Sequence, residues 1–295
     1  MKKGFLFVIL SAVLFGTMPF FARLIYGMGG NSLTLCFHRF LFSLPFLWLI
    51  ICFRYKISLR ITGRECKKIL VLSLWCAGTP LLLFQSYNYI SSGMATTIHF
   101  VYPILVLFGC IAVYREKLTV KKTVCAVLCL AGILFFYTPG ETGSIKGVML
   151  AFFSGVTYAF YVLYYSKSGL DKMNTFKLSF YLSLFGSAGV FVTALLSGNL
   201  VYRMPFNAWI LSVFFAFIVC VIATVAFQAG TARIGPQKSS MLSTFEPLTS
   251  VVAGAALFGE PVTPRTALGI ACILCAVLLL ACGEKKKKDT FHSPV

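Results

Sequence analysis

Acidic side chains are scarce. The 295 residues include eight Asp and Glu against twenty-six Lys and Arg, and only 12% of the chain is charged. A soluble domain averages about 25% charged residues. That shortage, beside 59% hydrophobic residues, excludes a water-soluble globular domain. Soluble-enzyme signatures are missing too. There is no Walker loop, no G-x-G-x-x-G after a strand, no H-E-x-x-H and no G-x-S-x-G. Direct ATP drive by this chain alone is therefore not expected, nor is any cofactor. The eleven cysteines do not lay out a disulfide framework. Cys36, Cys110, Cys125, Cys129 and Cys220 lie inside apolar runs, as small buried fillers do. Cys272 and Cys275 make a C-x-x-C without a second pair, so no metal site is expected.

What the chain has is apolar runs long enough to cross about 30 Å of hydrocarbon. They fall near 4–25, 32–53, 69–90, 93–113, 120–138, 147–166, 175–197, 208–229, 235–258 and 264–282. The expected fold is an all-α integral membrane protein with ten transmembrane helices. Lys2 and Lys3 before the first run resemble a signal peptide, but no small-x-small site ends the run. It reads as an uncleaved first helix. With the amino terminus in the cytoplasm, twenty-one of the twenty-six basic residues fall on the inner side. Arg23, Lys146, Arg203 and Arg265 stay outside, and Arg39 lies within a helix. Such an imbalance places both termini in the cytoplasm. The formal charge of +18 thus sits in short loops that set orientation, and no nucleic-acid partner is expected.

One stretch stands out. Glu246 lies midway along an apolar helix, directly before Pro247. A charge there costs about 2.5–3.5 kcal/mol on insertion scales, so it is usually functional or paired. Pro247 has no N–H for the carbonyl of Ser243, which predicts a kink and a bare carbonyl. The element recurs at an offset of 144: Pro103 matches Pro247, Glu116 matches Glu260, and Tyr102 stands where Glu246 stands. Pro103 likewise frees the carbonyl of His99. Gly4 with Gly147, Ser11 with Ser154 and Gln85 with Gln228 agree at an offset of 143. Five spans per half is an odd number, so the second half enters from the opposite side. Two inverted repeats with matching broken helices point to a carrier's midplane site. The expected divisions are a first repeat over 1–140, a second over 141–283, and a disordered basic cytoplasmic tail over 284–295.

Helical spacing selects the candidate faces. Gln85, Asn88 and Tyr89 share one on the third helix; Ala95, Thr96, His99 and Tyr102 share one on the fourth. Ser239, Ser243 and Glu246 share one on the ninth, and Gln228 closes the eighth. Each polar residue either bonds a neighbouring helix or lines a cavity. Glu246 binds a cationic group or exchanges a proton, or else pairs with Arg39 or a backbone N–H. Arg39 offers five fixed donors to a carboxylate or phosphate, or snorkels to the interface. His99 is a proton carrier or a hydrogen-bonded structural residue. Tyr158 is a cavity aromatic or packing. Glu116 and Glu260 read as end caps.

The chain resembles the EamA family of the drug/metabolite transporter superfamily over nearly its whole length. The likeness is carried by Cys36-Phe37-His38-Arg39-Phe40, by Phe84-Gln85-Ser86-Tyr87-Asn88-Tyr89-Ile90, and by Tyr102-Pro103 running to Arg115-Glu116-Lys117-Leu118-Thr119. In the second half Ala232-Arg233-Ile234-Gly235-Pro236 and Phe245-Glu246-Pro247 running to Gly259-Glu260 carry it. The resemblance implies a bacterial inner-membrane carrier, often an exporter of amino acids, other metabolites or toxic compounds. It also implies a cavity lined by helices one to four and six to nine. Glu246-Pro247 and Arg39 fit the family pattern; His99 and Tyr102 rest on geometry alone. The expected partners are a small-molecule substrate and the bilayer, and a homodimer stays open. Competing readings are a drug, nucleotide-sugar or lipid-headgroup carrier of the same fold, and a membrane scaffold or intramembrane enzyme.

Overall fold

A computed structural model describes residues 2–90, 92–115, 119–135, 144–258 and 263–282. Glu116, Glu260 and the tail at 284–295 lie outside the described residues. Every regular element among them is helical. In chain order they are α1 (Lys2–Phe15), α2 (Met18–Gly27), α3 (Ser32–Leu41), α4 (Ser43–Leu49), α5 (Gly63–Ser86) and α6 (Ser92–His99). Then come α7 (Tyr102–Tyr114), α8 (Val120–Phe135), α9 (Ile145–Lys167), α10 (Thr175–Ser197) and α11 (Phe206–Ala216). The last are α12 (Thr224–Ile234), α13 (Pro236–Leu242), α14 (Phe245–Phe258) and α15 (Pro264–Cys282). Two π-helical turns, Ile50–Tyr55 and Phe217–Ala223, continue α4 and α11.

Seven rods among the described residues are long and apolar enough to cross a bilayer: Lys2–Gly27, Ser32–Tyr55, Gly63–Ser86, Met94–Val113, Ile145–Lys167, Thr175–Ser197 and Phe206–Ile234. The other expected spans, 120–138, 235–258 and 264–282, overlap α8, the divided pair α13–α14, and α15, none of which is among the seven.

The third rod departs from its expected bounds, running over Gly63–Ser86 rather than 69–90. It starts early because Thr62 and Glu65 form a capping box, each side chain bonding the other's backbone N–H. Two orphan donors of the first turn are thereby satisfied, so the helix begins inside the basic loop. It ends early because Tyr87–Tyr89 turn back on Gln85 and Ser86. Asn88 and Tyr89 therefore do not share a helical face with Gln85, which corrects the expectation above.

The two halves interlock. α1 packs along α12, and its counterpart α9 packs along α5. Both contacts are close enough to need glycine. A Cβ on Gly4 would lie 2.6 Å from Ile234, and one on Gly147 would lie 2.8 Å from Tyr89 and 2.9 Å from Ile90. Ile90 and Ile234 are themselves 144 residues apart, so one contact is made twice. The ends of the bundle repeat the pattern. Asn31 caps α3 and donates to the carbonyl of Asn199 at 2.6 Å, while Thr34 accepts from Val201 N–H at 2.9 Å. At an offset of 143, Asn174 caps α10 and Lys177 donates to the carbonyl of Arg60 at 2.6 Å. α8 and α15 lie against each other and reach the rest mainly through α13.

Candidate functional site

Three rods are interrupted near the middle of the bundle, and a fourth carries an internal proline. Pro19 follows the gap between α1 and α2, and Pro103 and Pro247 follow the gaps α6–α7 and α13–α14. Pro80 lies inside α5. A fifth rod carries the π turn Phe217–Ala223, after which the Thr224 hydroxyl donates to the Val219 carbonyl at 2.8 Å. Thr224 is 144 residues from Pro80, so these two irregularities also match. Each proline removes an i to i−4 bond, and π turns cluster at functional sites. The break at Pro247 is tighter than the sequence suggested. The carbonyl of Ser243 is not bare, because it accepts from the Glu246 N–H at 2.9 Å. The missing proline donor is replaced by a shorter turn.

These breaks surround a cavity of about 50 Å³, room for a few waters, so polar groups on its wall need not be dry. Side chains from both halves line it. Arg39, His99 and Glu246 supply the ionisable groups, and Thr79 and Thr224 the hydroxyls. Phe15, Leu83, Tyr158, Tyr161 and Phe227 form apolar and aromatic walls. In the order of the expected spans, the lining comes from one to four, six, eight and nine; the seventh does not contribute.

Glu246 is in the first turn of α14 and 6% exposed. Arg39 is the charge that acts on it across the cavity, without a direct ion pair between them. Arg39 itself is 5% exposed and has no oxygen partner among the described residues. Its Nη1 faces Met18 Sδ at 3.8 Å, its guanidinium lies 5.1 Å from the Phe40 ring and 5.9 Å from that of Phe84, and its Nε is unpaired. The thiols of Cys36, Cys76 and Cys220 stand around it.

His99 Nδ1 is 2.8 Å from the Ser154 hydroxyl. That hydroxyl donates to the Ala151 carbonyl at 2.6 Å. Its one proton is thus committed, so Nδ1–H is the donor and Nε2 is left to accept from the cavity. The ring also packs on Tyr102 and Tyr158, at 5.3 and 5.6 Å. Tyr102 is fully buried behind this wall, with its hydroxyl turned toward that of Ser243. Ser243 is buried and donates to the Ser239 carbonyl at 3.0 Å.

Gln228 is buried directly behind the lining, bonded to one of its tyrosines. It donates to the Tyr161 hydroxyl at 3.2 Å and accepts from Ser179 at 3.2 Å, while its carbonyl takes Tyr165 at 3.0 Å. Gln85 is half-buried and Asn88 exposed, both off the cavity wall. Gln228→Ala strips the Tyr161 and Ser179 hydroxyls of a partner, which should cost about 1–3 kcal/mol. A lower melting temperature with unchanged ligand affinity is expected; an unchanged melt with lost affinity would instead put Gln228 on the substrate path. Sequence reasoning missed Pro80, Thr79, Cys76, Thr224 and Phe227. Only Pro80, a proline inside an apolar run, carried a readable signal.

A bundle of apolar rods around a polar cavity, with ionisable side chains and broken helices from both halves at its wall, defines a multi-pass membrane transporter. The chain belongs to the EamA-like transporter family, whose sequence profile matches residues 2–138 and again 145–282. An uncharacterized transporter of Archaeoglobus fulgidus is 26% identical over 283 residues, covering 95% of this chain and 96% of its own. The uncharacterized inner membrane transporter YicL of Salmonella typhimurium is 24% identical, covering 97% of each. One solved crystal structure superposes with a TM-score of 0.78 at 15% identity, over 95% of this chain and 97% of that one. That likeness shows the shared fold alone.

Proposed function

We propose that the protein is a secondary carrier that exports small metabolites, amino acids or related compounds, by alternating access around the midplane cavity. In this reading ten spans form two opposed repeats, 1–140 and 141–283, with both termini in the cytoplasm. The observation that carries it is the cavity wall, where Arg39 and His99 of one repeat face Glu246 of the other. Helices from both repeats are broken beside that wall, as expected where two similar bundles rock about a fixed site. Glu246 receives the cationic end of the substrate, or a proton in exchange for it.

Purified protein in liposomes tests the proposal. Vesicles loaded with unlabelled amino acids should take up labelled amino acid by counterflow, above protein-free vesicles and above vesicles carrying Glu246→Gln. No counterflow with any amino acid or related metabolite overturns the reading.

A further inference from the structure

The Arg39 guanidinium is unfinished. It carries five N–H donors in a rigid fork suited to two oxygens of one carboxylate. Among the described residues no oxygen receives any of them. Its acceptors are soft sulfurs, Met18 Sδ at 3.8 Å from Nη1 and the Cys220 thiol, and Nε has no partner although the residue is 5% exposed. Two aromatic faces, Phe40 and Phe84, support the charge without accepting its protons. A buried guanidinium is normally completed by oxygen acceptors. Here the residue sits on the cavity wall, so the missing acceptor can come from what fills the cavity.

We infer that Arg39 is the specificity-determining residue for a carboxylate, and that the occupant is a dipolar molecule with its anion on Arg39 and its cation toward Glu246. This rests on the carrier reading of the same cavity. The two charged residues come from different halves, so one molecule spans the junction between repeats. The same wall carries Phe15, Leu83, Tyr158 and Phe227 beside the hydroxyls of Thr79 and Thr224, which suits a compact zwitterion with a largely apolar body. Amines lacking the carboxylate leave Arg39 as unfinished as the empty cavity does.

The test compares the standard L-amino acids with their methyl esters, which keep the amine and lose the anion. Thermal melting and counterflow are read on the full-length protein. An acid should stabilise the wild type while its ester does not. Arg39→Lys, which keeps the charge and loses the fork, should weaken binding about ten- to a hundredfold, the scale of losing charge-assisted hydrogen bonds. Arg39→Gln should erase the preference for acid over ester, a readout that a purely structural arginine would not move. If the variants fail to fold, the wild-type comparison still decides. Esters bound as tightly as acids, or a preference retained in Arg39→Gln, overturns the inference. Counterflow of esters and amines alone sinks the carboxylate site and leaves the carrier; a protein that binds no compound in either form sinks both.

Discussion

Glu246→Gln is expected to cut transport roughly a hundredfold or more while leaving a folded, monodisperse protein, because losing the carboxylate that receives the substrate's cationic end costs about 2–5 kcal/mol. The competing role for Glu246 is structural. It stands in the first turn of α14, where a carboxylate favours the helix dipole by about 0.3–1 kcal/mol. Glutamine loses only that small contribution and keeps the shape, so a stability effect near one kcal/mol cannot by itself explain a hundredfold loss. The two roles therefore separate by magnitude: melting should move by a few degrees, transport by orders. If Glu246 also exchanges a proton, the pH dependence of transport should flatten in the variant. Initial rates of counterflow across a pH series, with size exclusion as the fold control, check both points. Wild-type rates and a wild-type pH profile in Glu246→Gln would leave the carboxyl as a helix-end ornament.

Much of this site could be read from residue order. Glu246 beside Pro247, the offset of 144 to Tyr102 and Pro103, and the helical spacing that puts His99 near Tyr102 all lead to one region of the bundle. The repeat was legible because the same close contacts and the same caps must be built twice, as with Gly4 and Gly147 or Asn31 and Asn174. What could not be read is how faces from different rods meet. Periodicity gives Gln228 a polar face but not its neighbours, and three bonds to α9 and α10 take it up. Nor does periodicity reveal that cysteines from three separate rods surround Arg39. Asn88 was misplaced for a local reason, since turn bonds at Tyr87–Tyr89 end α5 one turn before the apolar run ends.

Valine at Gly16 or Gly155 is expected to prevent accumulation of folded protein, and alanine to destabilise it. A Cβ on Gly16 would lie 2.5 Å from the carbonyl oxygen of Glu246 and 2.7 Å from Thr249. One on Gly155 would lie 2.6 Å from the carbonyl oxygen of His99 and 3.0 Å from Val101. In both places the obstacle is backbone beside a proline break, and backbone cannot rotate aside as a side chain does. Overpacking costs about 1–3 kcal/mol even where side chains can yield, so alanine belongs at or above that range and valine beyond it. The comparison residue is Gly189, inside α10 as Gly155 is inside α9, where a Cβ meets nothing within 4 Å. Gly189→Ala should be neutral or stabilise by about 0.5–1 kcal/mol, because alanine is the better helix former. Yield and melting temperature in detergent measure all three. The same two contacts join the α1–α2 turn to α14 and α9 to α6, one from each half onto the broken rod of the other. In the proposed alternating-access cycle, helices so close at the cavity must keep or slide along that contact. Alanine variants as stable as wild type at both positions would mean that the rods separate freely there, and the breaks at Pro103 and Pro247 would lose their support.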